Sequence, residues 1–183
     1  MKKIKRNNKW IIEIIIITFI ISLIMNVFTN VVVSELNIII ALVVLVMVIL
    51  IGIIFDIIGL AVATATEVPF HSKSTKKQVG AKESIMLIRN ADKVSSFCND
   101  VIGDISGVIS GGLAATIILN LKETVPHINT TLLSMILTAI VASATIGGKA
   151  FCKTIAMNQS YKIVEKCGLI IYRLKNLFVK EKR

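Results

Sequence analysis

Charge is scarce in this chain. Of 183 residues only 17% are Asp, Glu, Lys or Arg, while 55% are hydrophobic and the mean hydropathy is +0.81. Soluble domains are rarely so apolar, and long uncharged runs point to an integral membrane protein without a soluble domain of its own. Cysteine is scarce too. Cys98, Cys152 and Cys167 are an odd number without paired spacing, which excludes a disulfide framework and a zinc site of the usual pattern. Only two histidines occur, His71 and His127. There is no glycine-rich phosphate loop, nucleophile elbow or Cys/His metal spacing, so nothing points to an enzyme. No internal repeat or low-complexity linker divides the chain.

Acidic residues number 11 against 21 Lys and Arg, a formal net charge of +10. In a membrane protein that excess marks the cytoplasmic face and its anionic inner-leaflet lipids, not a nucleic-acid surface. Four segments are long enough to span, since about 20 apolar residues cross ~30 Å of hydrocarbon. They are about Trp10–Asn30, Leu36–Thr64, Phe97–Leu121 and Ile128–Gly148. The first follows "MKKIKRNN" and has no small-x-small cleavage site after it, so it reads as a retained helix and not a secretory signal. Five basic residues precede the first span, six lie between the second and third, and nine follow Gly148; only Lys122 lies elsewhere. The positive-inside rule then predicts an all-α protein of four transmembrane helices in the cell membrane, both termini cytoplasmic. His71 and His127 fall on opposite sides and cannot share a site, while all three cysteines fall on the reducing side.

Two cytoplasmic segments read as amphipathic helices. In Ala81–Cys98, apolar or small residues recur at Ala81, Ile85, Ile88, Ala91 and Ser95, opposite Lys82, Arg89 and Lys93. Pro69 and Gly80 bracket a shorter piece before it, so Thr66–Cys98 is expected to form a helical hairpin. In the tail, Ile163, Cys167, Ile170, Ile171, Leu174, Leu177 and Phe178 share one face. Such a helix lies in the headgroup plane with its lysines snorkelling, or caps the bundle from below; the two are compatible.

The informative residues are polar ones inside spans. "CNDVIGDISGVISGG" sets Gly103, Gly107 and Gly111 four apart, with Ser106 and Ser110 extending a small face. Glycine there lets another backbone approach, placing this helix mid-bundle or at a dimer seam; alternatively, bare carbonyls become open to an ion. Asp56 lies twenty residues from Leu36, Asp104 seventeen from Leu121, and Lys149 twenty-one from Ile128. At 1.5 Å per residue these depths are about 26–32 Å, one common level in the cytoplasmic third. A buried charge costs about 2.5–3.5 kcal/mol at the bilayer centre. Three remedies stay open: a salt-bridged cluster with Lys149, a hard cation held with Ser106 and backbone oxygens, or access to headgroup water.

The fourth span and its exit read "ATIGGKAFCKTIAMNQSYKIVEKCG". This resembles the end of the transmembrane domain of the CorC/CNNM (cyclin M) family of magnesium and cobalt transport proteins. In that family a Gly-Glu-x-x-Pro-Lys turn precedes Thr, small apolar residues and Asn. Here Gly148, Lys153, Thr154, Ala156 and Asn158 match in register, with Lys149 and Cys152 standing where the family has its acid and its proline. The stretch from Phe55 resembles the family's first core helix, and "VIGDISGVISG" its second. The resemblance implies three core helices, a cytoplasmic hairpin after the first, a basic juxtamembrane helix after the third, and a homodimer. Residues 1–35 would then be an extra N-terminal helix with its outer loop, and 36–183 the family-like domain. None of the chain corresponds to the CBS domains that usually follow, so regulation through them is not expected within it. The implied function is transport of Mg²⁺ or Co²⁺, with Asp56, Asp104 and Ser106 at the metal. The alternative is a non-transporting scaffold or regulatory subunit in which an Asp–Lys cluster replaces the ion.

Overall fold

The computed structural model describes residues 2–29, 37–124 and 129–180. Asn30, Leu36 and Ile128, expected ends of three spans, lie outside them, as does His127. The described residues form helices α1 (Lys2–Phe28), α2 (Ile38–Thr64), α3 (Val68–Thr75), α4 (Ala81–Arg89), α5 (Ala91–Ser96), α6 (Asp104–Thr124), α7 (Thr130–Asn158) and α8 (Ser160–Lys180). A π-helical segment, Phe97–Gly103, joins α5 to α6, and no strand occurs among the described residues. Among the described residues four stretches are long and apolar enough to cross a membrane: Trp10–Val27, Ile38–Thr64, Ala91–Glu123 and Thr130–Asn158. This is an all-α membrane protein. α2 shows why composition in water would mislead. Its run of Ile and Val would suit a strand, but hydrocarbon offers no water to an unpaired backbone group, so the helix that satisfies every group internally wins.

Helix ends follow local chemistry. The Asn37 Oδ1 accepts from the Ile39 N–H at 3.2 Å, and Asn129 Oδ1 from the Leu132 N–H at 3.2 Å, so an asparagine caps each of α2 and α7. Pro69 sits in the first turn of α3, where its missing N–H costs nothing. Gly147 and Gly148 do not end the fourth span, which runs on to Asn158. Gly148 serves close approach instead: a Cβ there would overlap the Ile53 side chain. Only Gln159 then separates α7 from α8. The stretch Ala81–Cys98 is not one helix. Asn90 breaks it, leaving the α region at φ −109°, ψ 27° and turning its Nδ2 back to the Met86 carbonyl at 2.9 Å.

The helices gather into two compact units, Met1–Ile53 with Asp100–Gly148, and Ile54–Asn99 with Lys149–Arg183. In the first, α6 buries Ile105, Ser106, Ile109, Ser110, Leu113, Ala114, Ile117 and Ile118, the two-wide stripe of a helix covered along one side. The small face expected across Gly103–Gly111 is divided. Ser106 meets α2, where a Cβ on Gly52 would lie 2.9 Å from its Cβ, while nothing stands within 4 Å of Gly107 or Gly111. Residues four apart drift about 40° per step on an α-helix, and a π-turn at the start shifts the phase further.

In the second unit, α4 lies against α8 and α3. Phe70, Ala61, Val62, Ile85 and Val164 form the core, and each large side chain so buried contributes about 1.5–3 kcal/mol. Gly80, at φ 81°, lets the backbones of α4 and α8 touch: a Cβ there would sit 2.7 Å from the Leu169 nitrogen. Opposite it, a Cβ on Gly168 would overlap the Ser84 hydroxyl, which lies 3.0 Å from the Gly80 carbonyl and 3.2 Å from that of Val164. Phe70 leans on Tyr161 with ring centroids 4.9 Å apart, and Lys73 bridges the Tyr161 ring and the Glu165 carboxylate. Arg89 Nε donates to Glu67 at 3.0 Å, and His71 stands 3.0 Å from the same oxygen.

These ion pairs predict the pH behaviour of this unit. The Arg89 hydrogen bond holds the Glu67 carboxyl below its ordinary value of 4.5. That contribution is present above the ordinary value and lost as pH falls through the lower folded one. The Glu165 hydrogen bond, then that of Tyr161, raises the Lys73 ammonium above its ordinary value of 10.5. Its contribution is complete below that value and lost as pH rises through the raised one. Thermal melts of detergent-solubilised protein should therefore flatten on the acid side in Glu67→Gln and on the alkaline side in Glu165→Gln. The effects should be small, since both pairs are solvent-screened.

Candidate functional site

Asp56 lies in the C-terminal half of α2 with 16% of its side chain exposed, beyond a run of aliphatic residues. Lys149, on α7, brings Nζ to 3.9 Å from Asp56 Oδ1. The ion pair with Lys149, one of the sequence-derived remedies for the carboxylate, is present. Its spacing is that of a loose pair; at an effective dielectric of 20, about 4 Å corresponds to roughly 4 kcal/mol of gross attraction before desolvation is subtracted.

One turn along α2 is Gly59. A Cβ there would overlap Asn99 Oδ1 and fall 3.1 Å from Cys98 Cβ. Asn99 is thus pressed on bare α2 backbone, its Nδ2 donating to Ser95 Oγ at 3.3 Å while its buried Oδ1 has no hydrogen-bond partner. It sits in the π-helical segment, a form that concentrates at functional sites because its wider turn loosens the backbone ladder. A buried oxygen without a donor is costly, about 1–3 kcal/mol, and invites water or a cation. Sequence reasoning does not single out Asn99 or Gly59 as site residues. The available signal is a glycine one turn after an aspartate, which permits a polar side chain to lie flat on the helix at that turn.

Asp104 and Ser106 do not converge. They are two residues apart on α6, so they point to different sides: Asp104 is exposed and Ser106 is buried. The Ser106 hydroxyl donates to the Ile102 carbonyl at 2.7 Å, and the Ser110 hydroxyl to the Ser106 carbonyl at 2.7 Å. Among the described residues no group of three His, Cys, Asp or Glu side chains could hold a metal ion. Any cation held here must take most of its oxygens from amides, hydroxyls, carbonyls and water. Of the residues carrying the fourth-span motif, Ala156 is fully buried, while Lys153, Thr154 and Asn158 are exposed along α7. The three cysteines are free thiols, and burial raises the Cys167 thiol above its ordinary value, which keeps it a protonated, unreactive group.

Comparison with known families, curated proteins and solved structures returned no match to this chain. Its class therefore rests on the helices themselves: an all-α membrane protein with a polar site where α2 carries Asp56.

The contact between Gly59 and Asn99 can be measured. Gly59→Ala should cost about 2 kcal/mol of stability, because the new methyl overlaps the amide. Asn99→Ala should relieve it, giving a coupling of about 1 kcal/mol or more in a double-mutant cycle followed by thermal denaturation. Additive effects would mean that the two residues do not touch.

Proposed function

We propose that this protein is a divalent-cation transport-related membrane protein with a core like that of the CorC/CNNM family, acting on Mg²⁺ or Co²⁺. One observation carries the reading. The Asp56 carboxylate is joined, one turn along the same membrane-spanning helix, by the unsatisfied amide oxygen of Asn99. The fourth-span motif from Gly148 to Asn158 supports it. Asp56 is the charged ligand, and Mg²⁺ would keep several waters beside so few protein oxygens. Asp104 and Ser106 belong to the neighbouring ion-binding segment by resemblance. Both termini are cytoplasmic, on the distribution of 20 of the 21 basic residues; enzyme-reporter fusions at either end check this. The working form is a homodimer, for which the open Gly107–Gly111 face of α6 offers close approach.

Lys149 favours a second reading. An ammonium beside Asp56 already neutralises it, and a divalent ion arriving about 4 Å away would be repelled by several kcal/mol. If the lysine stays, the chain is a non-transporting scaffold or regulatory subunit that keeps the fold.

The two readings predict opposite signs for one variant. If the cation binds, millimolar Mg²⁺ raises the melting temperature, Asp56→Asn abolishes the rise, and Lys149→Met enlarges it by removing a competitor. A ligand at 100 times its Kd stabilises by about 2.7 kcal/mol, which is readily seen. If the lysine is structural, Mg²⁺ does nothing at any concentration. Lys149→Met then lowers stability by on the order of 2 kcal/mol, and Asp56→Asn added to it restores part of the loss. Light scattering on the same samples reads the oligomeric state.

A further inference from the structure

α8 carries two apolar faces. Val164 and Gly168 are buried on the side that meets α4. Ile170, Leu174 and Leu177 lie roughly 100–160° around the helix from that side, at about 100° per residue, with Ile171 between, and all four are exposed, Leu177 at 64%. The hairpin therefore does not use this stripe. Four clustered aliphatic side chains left open in water are a liability, and such a patch marks a surface meant to be covered.

What covers it is written in the flanking charges. Lys166 and Arg173 border the stripe on one side and Lys175 on the other, all three exposed. No acidic residue occurs from Lys166 to Lys180, and Glu165, just before, is engaged by Lys73. Both borders are cationic, the charge that an anionic phospholipid surface complements along the whole stripe. Geometry points the same way. α7 is 29 residues long, about 43 Å at 1.5 Å per residue, more than a bilayer core requires, and one residue later α8 begins. α8 thus begins one residue beyond the end of a helix long and apolar enough to span.

We propose that the C-terminal half of α8 docks in the headgroup layer of an anionic membrane surface. Ile170, Ile171, Leu174 and Leu177 enter the acyl boundary, and Lys166, Arg173 and Lys175 bind lipid phosphates. The occupant is anionic phospholipid, and the leaflet assigned to it rests on the orientation proposed above. Docking itself does not depend on any cation binding at Asp56. It also gives the hairpin a lipid-linked anchor, because the other face of the same helix holds α4.

The test uses the full chain reconstituted into nanodiscs, where both leaflets share one composition, so a wrong orientation cannot mimic failure. Leu174→Trp in a Trp10→Phe background reports immersion through quenching by bromine-labelled lipid acyl chains. Strong quenching is expected in discs containing phosphatidylglycerol, falling in neutral phosphatidylcholine or in high salt. Each basic residue at the surface is worth about fivefold in partition, so Lys166→Gln with Arg173→Gln and Lys175→Gln should lower the docked-to-free ratio on the order of a hundredfold. Should that variant misfold, the salt and lipid series on the unneutralised chain decides the question by itself. Absence of quenching in every lipid overturns the proposal and leaves a protein, such as a second copy, as the cover. Equal quenching with and without anionic lipid, unmoved by salt, overturns the phosphate contacts.

Discussion

A carboxylate set at the end of a long aliphatic helix must be neutralised from outside that helix, because its own neighbours carry nothing to offer. On α2 the obligation falls on Asp56, and Lys149 of α7 meets it. Two helices distant in sequence are thereby held in one register within their unit, and the glycine one turn beyond Asp56 can receive Asn99. The pair also sets the functional question. A charge neutralised by a tethered ammonium is either a finished structural device or an occupied ion position, and those differ only in whether a competing cation can displace the lysine. Nothing about the carboxylate alone decides between them; its partner does.

The spans are legible in the sequence because the bilayer imposes a single length scale and a single backbone solution. Any run such as Ile38–Thr64 must be helical, whatever its β-branched content. The hairpin is legible from Pro69 and Gly80, which act through their own backbones. What is not legible depends on a second segment or on phase. Asn90 looks like any polar position until its side chain is seen capping the Met86 carbonyl. The glycine ladder from Gly103 looks continuous only if the helix begins in α form. With a π-turn ahead of it and a drift of about 40° per step, one end faces α2 and the other end stands open. Gly147 and Gly148 read as a stop, but Gly148 serves an approach that only the opposing Ile53 explains.

The site is half legible for the same reason. Depth counting along separate helices brings Asp56 and Lys149 to one level, and depth is a one-dimensional quantity that sequence supplies. Which side of a helix a residue faces is a second coordinate. It separates Asp104, exposed, from Ser106, buried, although only one residue lies between them. Asn99 is invisible to such counting because its importance lies in an unmet acceptor, a property of surroundings and not of residue type.

The serines of α6 carry a consequence for the sign of any guest. Ser106 and Ser110 each spend their one hydroxyl proton on a carbonyl a turn behind. What they turn inward is lone-pair density with no proton left to give. While those two bonds hold, each oxygen can accept a hydrogen bond or lie against a cation but has no proton to donate to an anion. Discrimination by polarity can thus be built from neutral side chains, with no fixed charge on that stretch of helix.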